Sequence, residues 1–418
     1  KTCSHIIVVT KYEYLYFCKN QFKELNIKIN ITYILEPTAK NTSAALLVGA
    51  TFSAKMLDLK NFVVMPADHQ IMNFLKFKTI IKNAFAVLND GLVTIGIKPE
   101  FASTDYGYIE VNGNDVKKFH EKPNIKNAKA YISKNNFFWN SGIFVLNFEN
   151  LVADYILLNP KLHQNVLNVF NKSEFIESNI FMLNEIYSEV QEVSFDYDIL
   201  ERSNKIKCIT GDFGWSDLGS WNEYTKVISS DDDKNKIKGT VVLNQSKNNT
   251  VISNHRLVAI SGVNNLTVVE TRDAVLIINS DSLDSIRSLV KKLKISDNYL
   301  SFKNHFVTFR PWGHFTVLEY DNGFKVKLIV INPKSKLSLQ SHKHRSEHWV
   351  VVEGEAYVIK DDESFIVKKD QSTYIPSKAI HRIENKSLKH QLKIIEVQSG
   401  NYLGEDDIKR FDDQYSRD

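Results

Sequence analysis

Three histidines and a glutamate fall close together in the stretch Gln340-Ser341-His342-Lys343-His344-Arg345-Ser346-Glu347-His348-Trp349. In a strand, residues i and i+2 share a face. This predicts that His342 and His344 point to the same side, with a turn or the next strand bringing Glu347 alongside. Imidazole nitrogens together with a carboxylate suit zinc and other first-row divalent metals. A second segment, Tyr374-Ile375-Pro376 followed by His381-Arg382-Ile383-Glu384-Asn385, supplies another imidazole. A lone histidine is most often a surface residue of a polar strand, but that reading does not produce this density. The expected ligands are His342, His344, Glu347 and His381, with Gln340 as an alternative. His348 is either an acid/base group or a packed neighbour of Trp349.

Such side chains need a scaffold, and from Phe302 onward the sequence alternates with period two. Phe315–Tyr320, Phe324–Ile331, His348–Val352, Ala356–Ile359, Ser364–Val367 and Gln391–Val397 read as strands separated by turns such as Asp321-Asn322-Gly323. That is the pattern of an all-β barrel or jelly roll. Upstream, roughly the first 230 residues alternate short β-branched runs with helical spacing, which argues for an α/β sheet, largely parallel. In such sheets ligands bind beyond the carboxyl ends of the strands. Asp68 stands at one of those ends, in Pro66-Ala67-Asp68-His69 after the run Phe62–Met65. Between these halves, the polar run Ser229–Lys238 reads as a linker. The evenly spaced β runs of Gly239–Ser280 read as a small stacked β-coil or sandwich, closed by an amphipathic helix over Asp281–Leu293.

The 418 residues exceed one ordinary core, and the 43% hydrophobic and 24% charged fractions suit a soluble protein of two or three domains. A net charge of +4 with interspersed signs leaves no nucleic-acid footprint. Cys3, Cys18 and Cys208 are too few and too scattered for a disulfide framework or a zinc ribbon. No apolar run reaches the roughly 20 residues a membrane helix needs, and no signal-peptide pattern opens the chain. The expectation is a cytoplasmic protein with no membrane partner.

His-x-His, a following Glu and then Gly354 resemble the first cupin motif, and Pro376 with His381 the second. The match is closer to the bifunctional mannose-1-phosphate guanylyltransferase/mannose-6-phosphate isomerase family, also called type II phosphomannose isomerases. It is carried by Arg310-Pro311-Trp312-Gly313, Leu337-Ser338-Leu339-Gln340, the His342–Trp349 cluster, Ser372–Pro376, His381–Asn385 and Ile395–Ile408. The resemblance extends over nearly the whole chain. Leu35-Glu36-Pro37 with Asn41-Thr42 resembles the segment contacting guanine and sugar in sugar-1-phosphate nucleotidyltransferases. Pro66–His69 resembles their metal-binding loop, and Gly214–Trp221 the loop with a second metal-binding carboxylate. Asp105–Ile109, Glu121-Lys122-Pro123 and Trp139–Gly142 resemble the sugar pocket.

The resemblance implies an α/β nucleotidyltransferase-like (Rossmann-like) domain over 1–230, a short β-coil linker domain over 231–298 and an all-β cupin isomerase barrel over 299–418. It implies transfer of a guanylyl group from GTP to mannose 1-phosphate, and isomerisation of mannose 6-phosphate, for GDP-mannose and surface-polysaccharide supply. Mg²⁺ on Asp68 and Asp217 would serve the transferase. Zn²⁺ or another divalent metal (Mn²⁺, Co²⁺ or Fe²⁺) would serve the barrel. Glu36, Asn41, Gly107, Tyr108, Glu121, Lys122 and Asn140 are the implied substrate-binding residues. Arg345 and Arg382 are implied as cations for phosphate or enediolate. Exposed β-coil and barrel edges make a homo-oligomer an expectation.

Three departures accompany the resemblance. Lys40 replaces the family's usual Arg, and Asp105 its usual Gly. The family's opening Gly-Gly-x-Gly-Thr-Arg-Leu-x-Pro loop has no counterpart, because Lys1–Thr10 already matches the second strand. The expectation is therefore an N-terminally incomplete transferase domain of impaired activity. The alternative is a non-catalytic sugar-nucleotide binding subunit or a decayed gene fragment.

Overall fold

The computed structural model describes residues 3–89, 91–219, 221–226, 228–272, 274–295 and 307–412. Lys1 and Thr2, Ser220 of the Gly214–Trp221 loop, the expected boundary at 298/299 and the expected onset of alternation at Phe302 lie outside the described residues. The chain forms two compact units, Lys1–Ile228 and Ser229–Asp418.

The strands of the first unit are β1 (His5–Lys11), β2 (Asn30–Glu36), β3 (Asn61–Val64), β4 (Gln70–Ile71), β5 (Leu92–Ile97), β6 (Tyr108–Asn112), β7 (Asp115–His120), β8 (Phe137–Asn147), β9 (Glu174–Glu177), β10 (Ile180–Met182), β11 (Ile206–Thr210) and β12 (Trp215–Ser216). One sheet runs β1-β2-β10-β9, another β3-β8-β5-β11-β7-β6, and β12 pairs with β4. The parallel pairings β1–β2, β2–β10 and β5–β11 fit the sequence expectation. The larger sheet is otherwise antiparallel, because β8 runs against β3, β5 and β6. The hairpin turn Gly113-Asn114 also folds β7 back on β6. Such turns and reversals leave less trace in hydrophobic periodicity than the strands themselves.

Leu92, Val93 and Ile95 of β5 are fully or almost fully buried, as expected for a strand covered on both faces. Helix Asn41–Leu57 buries Ala44, Leu47, Val48 and Phe52 against the core that Ile34, Phe144 and Tyr155 share. Each such large side chain contributes about 1.5–3 kcal/mol on leaving water. Asparagines start the neighbouring helices: Asn147 accepts from the backbone of Glu149 and Asn150, and Asn159, followed by Pro160, accepts from Leu162.

The second unit begins with a parallel coil built from β13 (Lys236–Lys238), β14 (Val241–Asn244), β15 (Thr250–Ser253), β16 (Val258–Ser261) and β17 (Leu266–Glu270), to which β18 (Val275–Asn279) adds antiparallel. Asn248 and Asn265, both left-handed, stack through an Nδ2–Oδ1 bond of 3.0 Å.

Next come β19 (Val307–Arg310), β20 (Gly313–Asp321), β21 (Phe324–Ile331), β22 (Ser335–Lys336), β23 (Leu339–His342), β24 (Arg345–Glu353), β25 (Glu355–Lys360), β26 (Glu363–Lys368), β27 (Ser372–Ile375), β28 (His381–Asn385), β29 (Leu392–Gly400) and β30 (Ile408–Asp412). They form two sheets, β19-β20-β21-β29-β24-β27 and β26-β25-β28-β23-β30, with β22 added to β28. Trp312, Ile329, Ile331, Trp349, Val351, Val358, Ile383 and Ile394 belong to one core. Gly313 opens β20 at φ +148°, and a Cβ there would meet the Val330 carbonyl oxygen at 2.0 Å. No helix among the described residues is long and apolar enough to cross a membrane.

Candidate functional site

The β24 alternation turns Arg345, Glu347 and Trp349 inward and leaves His348 outside. β23 ends on His342, and its Gln340 is paired in register with His381 of β28. The result is a buried cluster of His342, Glu347 and His381 whose ligand atoms all lie within 4.8 Å of one another. His342 Nε2 is 3.1 Å and His381 Nε2 3.6 Å from the two Glu347 oxygens. Gln340 Nε2 lies 3.4 Å from His342 Nε2.

The residues fit a divalent metal. His381 Nδ1 is 2.9 Å from the Ala379 carbonyl, which can only accept, so Nδ1 carries the hydrogen. Burial lowers the pKa of His381, outweighing the Glu347 charge, and so favours the neutral ring. Its Nε2 lone pair then faces a carboxylate and has no hydrogen-bond partner. A cation relieves that opposition, and a backbone carbonyl on the far nitrogen is the usual outer support of a metal-binding imidazole. Burial alone would raise the Glu347 carboxyl. The His342 hydrogen bond and the fixed Arg345 charge outweigh it and hold Glu347 well below the usual range.

His344 lies apart from this cluster. The chain bends at Lys343 and His344, whose N–H groups donate to the two Asp407 oxygens at 3.1 Å each. The strand period is broken there, and the exposed His344 ring stands edge-on to Tyr402. His348 is likewise exposed, against Tyr374. Arg382 alternates away from His381 and is held by Glu384 at 3.2 Å and Asp412 at 2.5 Å. Accordingly, His344→Ala is expected to keep its metal content and its barrel turnover within about twofold, since it removes only surface contacts. Metal analysis beside a turnover assay checks this.

Sequence reasoning missed a second buried set. Lys327 of β21 donates to Glu405 at 2.9 Å and lies 3.8 Å from Glu396. Burial works against its ammonium, but these carboxylates raise its pKa overall. Trp349 Nε1 reaches Glu347 at 3.2 Å and Glu396 at 3.1 Å, and Gln398 Nε2 reaches the same pair at 3.1 and 2.9 Å. Burial and the Glu347 charge push the Glu396 carboxyl up against the pull of Lys327. The available signal was charge at inward strand positions: Lys327 in Val326-Lys327-Leu328, and Glu396 with Gln398 following Ile394.

In the first unit the β4–β12 ladder pairs Ser216 with Gln70, which brings Asp217 beside the Asp68-His69 turn. Trp215 Nε1 donates to His69 Nδ1 at 3.2 Å, while Asp217 Oδ1 accepts from Tyr106 at 2.9 Å and from the Gly219 N–H at 3.0 Å. Burial lowers the His69 pKa against the opposing pull of Asp68 and Asp217. Asn140 donates to Asp196 at 2.9 Å, and its N–H bonds the Gly107 carbonyl at 2.8 Å. At Gly107 a Cβ would meet Glu121 Oε2 at 2.7 Å and the Phe119 ring at 2.9 Å. The two groups adjoin, since Gly142 lies against Pro66 and His69. Tyr108 is buried, its hydroxyl donating to the Ser103 carbonyl, so it packs behind the pocket.

Glu36 accepts from Tyr187 at 2.6 Å, and burial raises its carboxyl against that bond. Asn41 starts its helix at φ +66°. The next two residues are tied to the Asp196 segment: Phe195 N–H donates to Thr42 Oγ1 at 2.9 Å, and Ser43 N–H to the Val193 carbonyl at 3.2 Å. Ser43 Oγ also donates to Asp198 at 2.6 Å. Asp196 and Tyr187 carried no readable signal, and Tyr106 was covered only by the Asp105–Ile109 resemblance.

Burial, with the charges of Asp196 and Glu201 opposing Lys122, pushes Glu121 up to about 7. A raised carboxyl means that the folded state binds the proton more tightly, so stability falls as pH rises from the ordinary value toward and past 7. Glu121→Gln does not titrate. It is expected to be more stable than the parent at pH 8 by about 1 kcal/mol, the gain vanishing below pH 5. Thermal unfolding across that range checks it.

A "Nucleotidyl transferase" family model matches residues 1–234, a "MannoseP isomerase/GMP-like beta-helix domain" model 239–293 and a "Mannose-6-phosphate isomerase C-terminal" model 297–413. The chain is 34% identical over 434 residues to mannose-1-phosphate guanylyltransferase 2 of Escherichia coli O157:H7, covering 100% of this chain and 89% of that protein. It is also 34% identical over 416 residues to xanthan biosynthesis protein XanB of Xanthomonas campestris pv. campestris (strain B100), covering 98% and 88%. The crystal structure of mannose-1-phosphate geranyltransferase from Thermus thermophilus superimposes with TM-score 0.59 at 21% identity, covering 70% of this chain and 100% of that one, a likeness of fold.

Proposed function

Because the chain belongs to the mannose-1-phosphate guanylyltransferase family that carries a mannose-6-phosphate isomerase C-terminal domain, we propose that it performs both reactions, one in each unit. The first unit joins GTP and mannose 1-phosphate to give GDP-mannose and diphosphate. The barrel interconverts mannose 6-phosphate and fructose 6-phosphate. The observation that carries the reading is the buried His342–Glu347–His381 set, with the His381 lone pair turned onto Glu347.

In the barrel, His342, Glu347 and His381 would hold the divalent metal, with Gln340 beside them. Zinc is the first choice for such a donor set, and Mn²⁺, Co²⁺ or Fe²⁺ also suit it. When bound, such an ion would supply polarisation of the sugar's carbonyl and hydroxyl oxygens. Isomerisation moves a proton between C1 and C2 through an enediol. Arg345, buried against Glu347 and donating to the Gly404 carbonyl at 2.8 Å, places a fixed positive charge beside the developing oxyanion.

In the first unit, an oxygen of mannose 1-phosphate attacks the α-phosphorus of GTP. The bond to the bridging oxygen breaks and diphosphate leaves. Asp68 and Asp217 would hold Mg²⁺, which would offset the charge of the phosphates. Lys122 takes the sugar phosphate, Glu121 and Asn140 take its hydroxyls, and Asp196 fixes Asn140. Glu36, oriented by Tyr187, takes N–H donors of the nucleobase, with Asn41 closing that end. We place the reactions in the cytoplasm, feeding surface-polysaccharide synthesis, and in a homo-oligomer. The three-part division at 230/231 and 298/299 separates transfer, coil and isomerase.

The test assays one preparation twice: GDP-mannose formation from GTP and mannose 1-phosphate with Mg²⁺, and fructose 6-phosphate formation after metal stripping and restoration. Metal-restored isomerisation supports the barrel reading, and no turnover with any divalent metal sinks it. GDP-mannose formation tests the first unit independently.

A further inference from the structure

The barrel cavity is lined by four cations, Arg310, Lys327, Arg345 and Arg410, and three carboxylates, Glu347, Glu396 and Glu405. Lys327 lies within 4 Å of Glu405 and Glu396. Arg345 lies 3.3 Å from Glu347, and the Arg310 charge helps to hold the Glu405 carboxyl low. Lys327, Arg345 and Arg310 each face at least one of these carboxylates, whereas Arg410 has no ion pair among the described residues. Its Nε is buried without a hydrogen-bond partner. A guanidinium nitrogen in that state costs free energy unless an acceptor arrives.

The position of Arg410 limits what that acceptor is. β30 runs against β23 so that Arg410 faces Gln340 across the ladder. Directly paired residues of an antiparallel ladder project to one face, and Gln340 reaches the His342 ring. A ligand seated at the metal cluster therefore has Arg410 at its flank. A planar guanidinium with free donors suits a phosphate, which accepts bidentate bonds.

The geometry points to Arg410 as the phosphate anchor of the barrel, gripping the end of the sugar phosphate remote from the reacting carbons. This rests on the isomerase reading above and names the residue that makes the barrel select phosphorylated sugars.

The test uses the full chain with Arg410→Met, which keeps bulk and removes charge, and Arg410→Lys, which keeps charge. Arg410→Met is expected to raise KM for mannose 6-phosphate roughly 10- to 100-fold, the loss of one or two bonds to a charged partner, with kcat within a few-fold. Competitive inhibition by inorganic phosphate weakens by a similar factor, metal content stays at the parent level, and Arg410→Lys recovers part of the KM. An unchanged KM with unchanged phosphate inhibition overturns the assignment. So does an equal loss against mannose lacking the phosphate. Failure of the parent to isomerise at all sinks the underlying reading instead. In that case calorimetric titration of parent and Arg410→Met with inorganic phosphate still decides the anchor, since equal affinity refutes it.

Discussion

Glu347→Gln is expected to empty the barrel of metal and to lower mannose 6-phosphate turnover more than about 100-fold, beyond the 10- to 100-fold typical of an outer-sphere partner. Glutamine keeps the size of the side chain and removes the charge that Arg345 is paired with and that a cation between the imidazoles would need. Arg345 is then buried beside a neutral amide. Breaking one side of a buried pair costs about 3–5 kcal/mol in general, so a lower melting temperature accompanies the loss. Metal analysis, the coupled assay and thermal unfolding read the three effects separately. Full metal content with full turnover would show that the cluster is not the site. GDP-mannose formation serves as the internal control, because Glu347 belongs to the other unit.

Asp217→Asn is expected to do the converse. Transfer to mannose 1-phosphate falls roughly 100- to 1,000-fold, the scale of losing one charge stabiliser of a transition state, while isomerisation is unchanged. The amide oxygen still accepts from Tyr106 and from the Gly219 N–H. The loop therefore keeps its shape, and the melting temperature moves little. Initial rates against Mg²⁺ concentration separate the roles of the carboxylate. If it holds the ion, the variant needs far more Mg²⁺ for half-maximal rate. An unaltered rate and Mg²⁺ requirement would remove Asp217 from the site.

The barrel site was readable where its residues are close in sequence and follow a strict strand period. Arg345, Glu347 and Trp349 share an inner face because β24 is regular, and His381 sits on a strand facing it. His344 breaks the rule for a local reason. Asp407, more than sixty residues downstream, takes the two N–H groups of the bend and ends the alternation there. Arg382 follows the period and for that reason faces away from His381. Lys327, Glu396 and Glu405 were hidden, because their proximity depends on β21 pairing with β29 and on a loop returning under both. In the first unit, Asp68 was visible as an acid after the apolar run Phe62–Met65, which proves only half-buried. Asp196 opens a short π-helical segment, Asp196–Leu200, whose position is set by bonds to Thr42, Ser43 and Asn159, all distant in sequence. Periodicity carries no such information.

The bonds from Phe195 to Thr42 and from Ser43 to Val193 and Asp198 tie the Glu36–Asn41 end, proposed for the nucleobase, to the Asp196 segment that holds Asn140, proposed for the sugar. On the function proposed above, both substrates would then be read by one connected piece of protein rather than by two independent pockets. A change that re-shapes this wall for another base is expected to move Asp196 with it and to alter the fit of the sugar, so donor and acceptor preference would shift together.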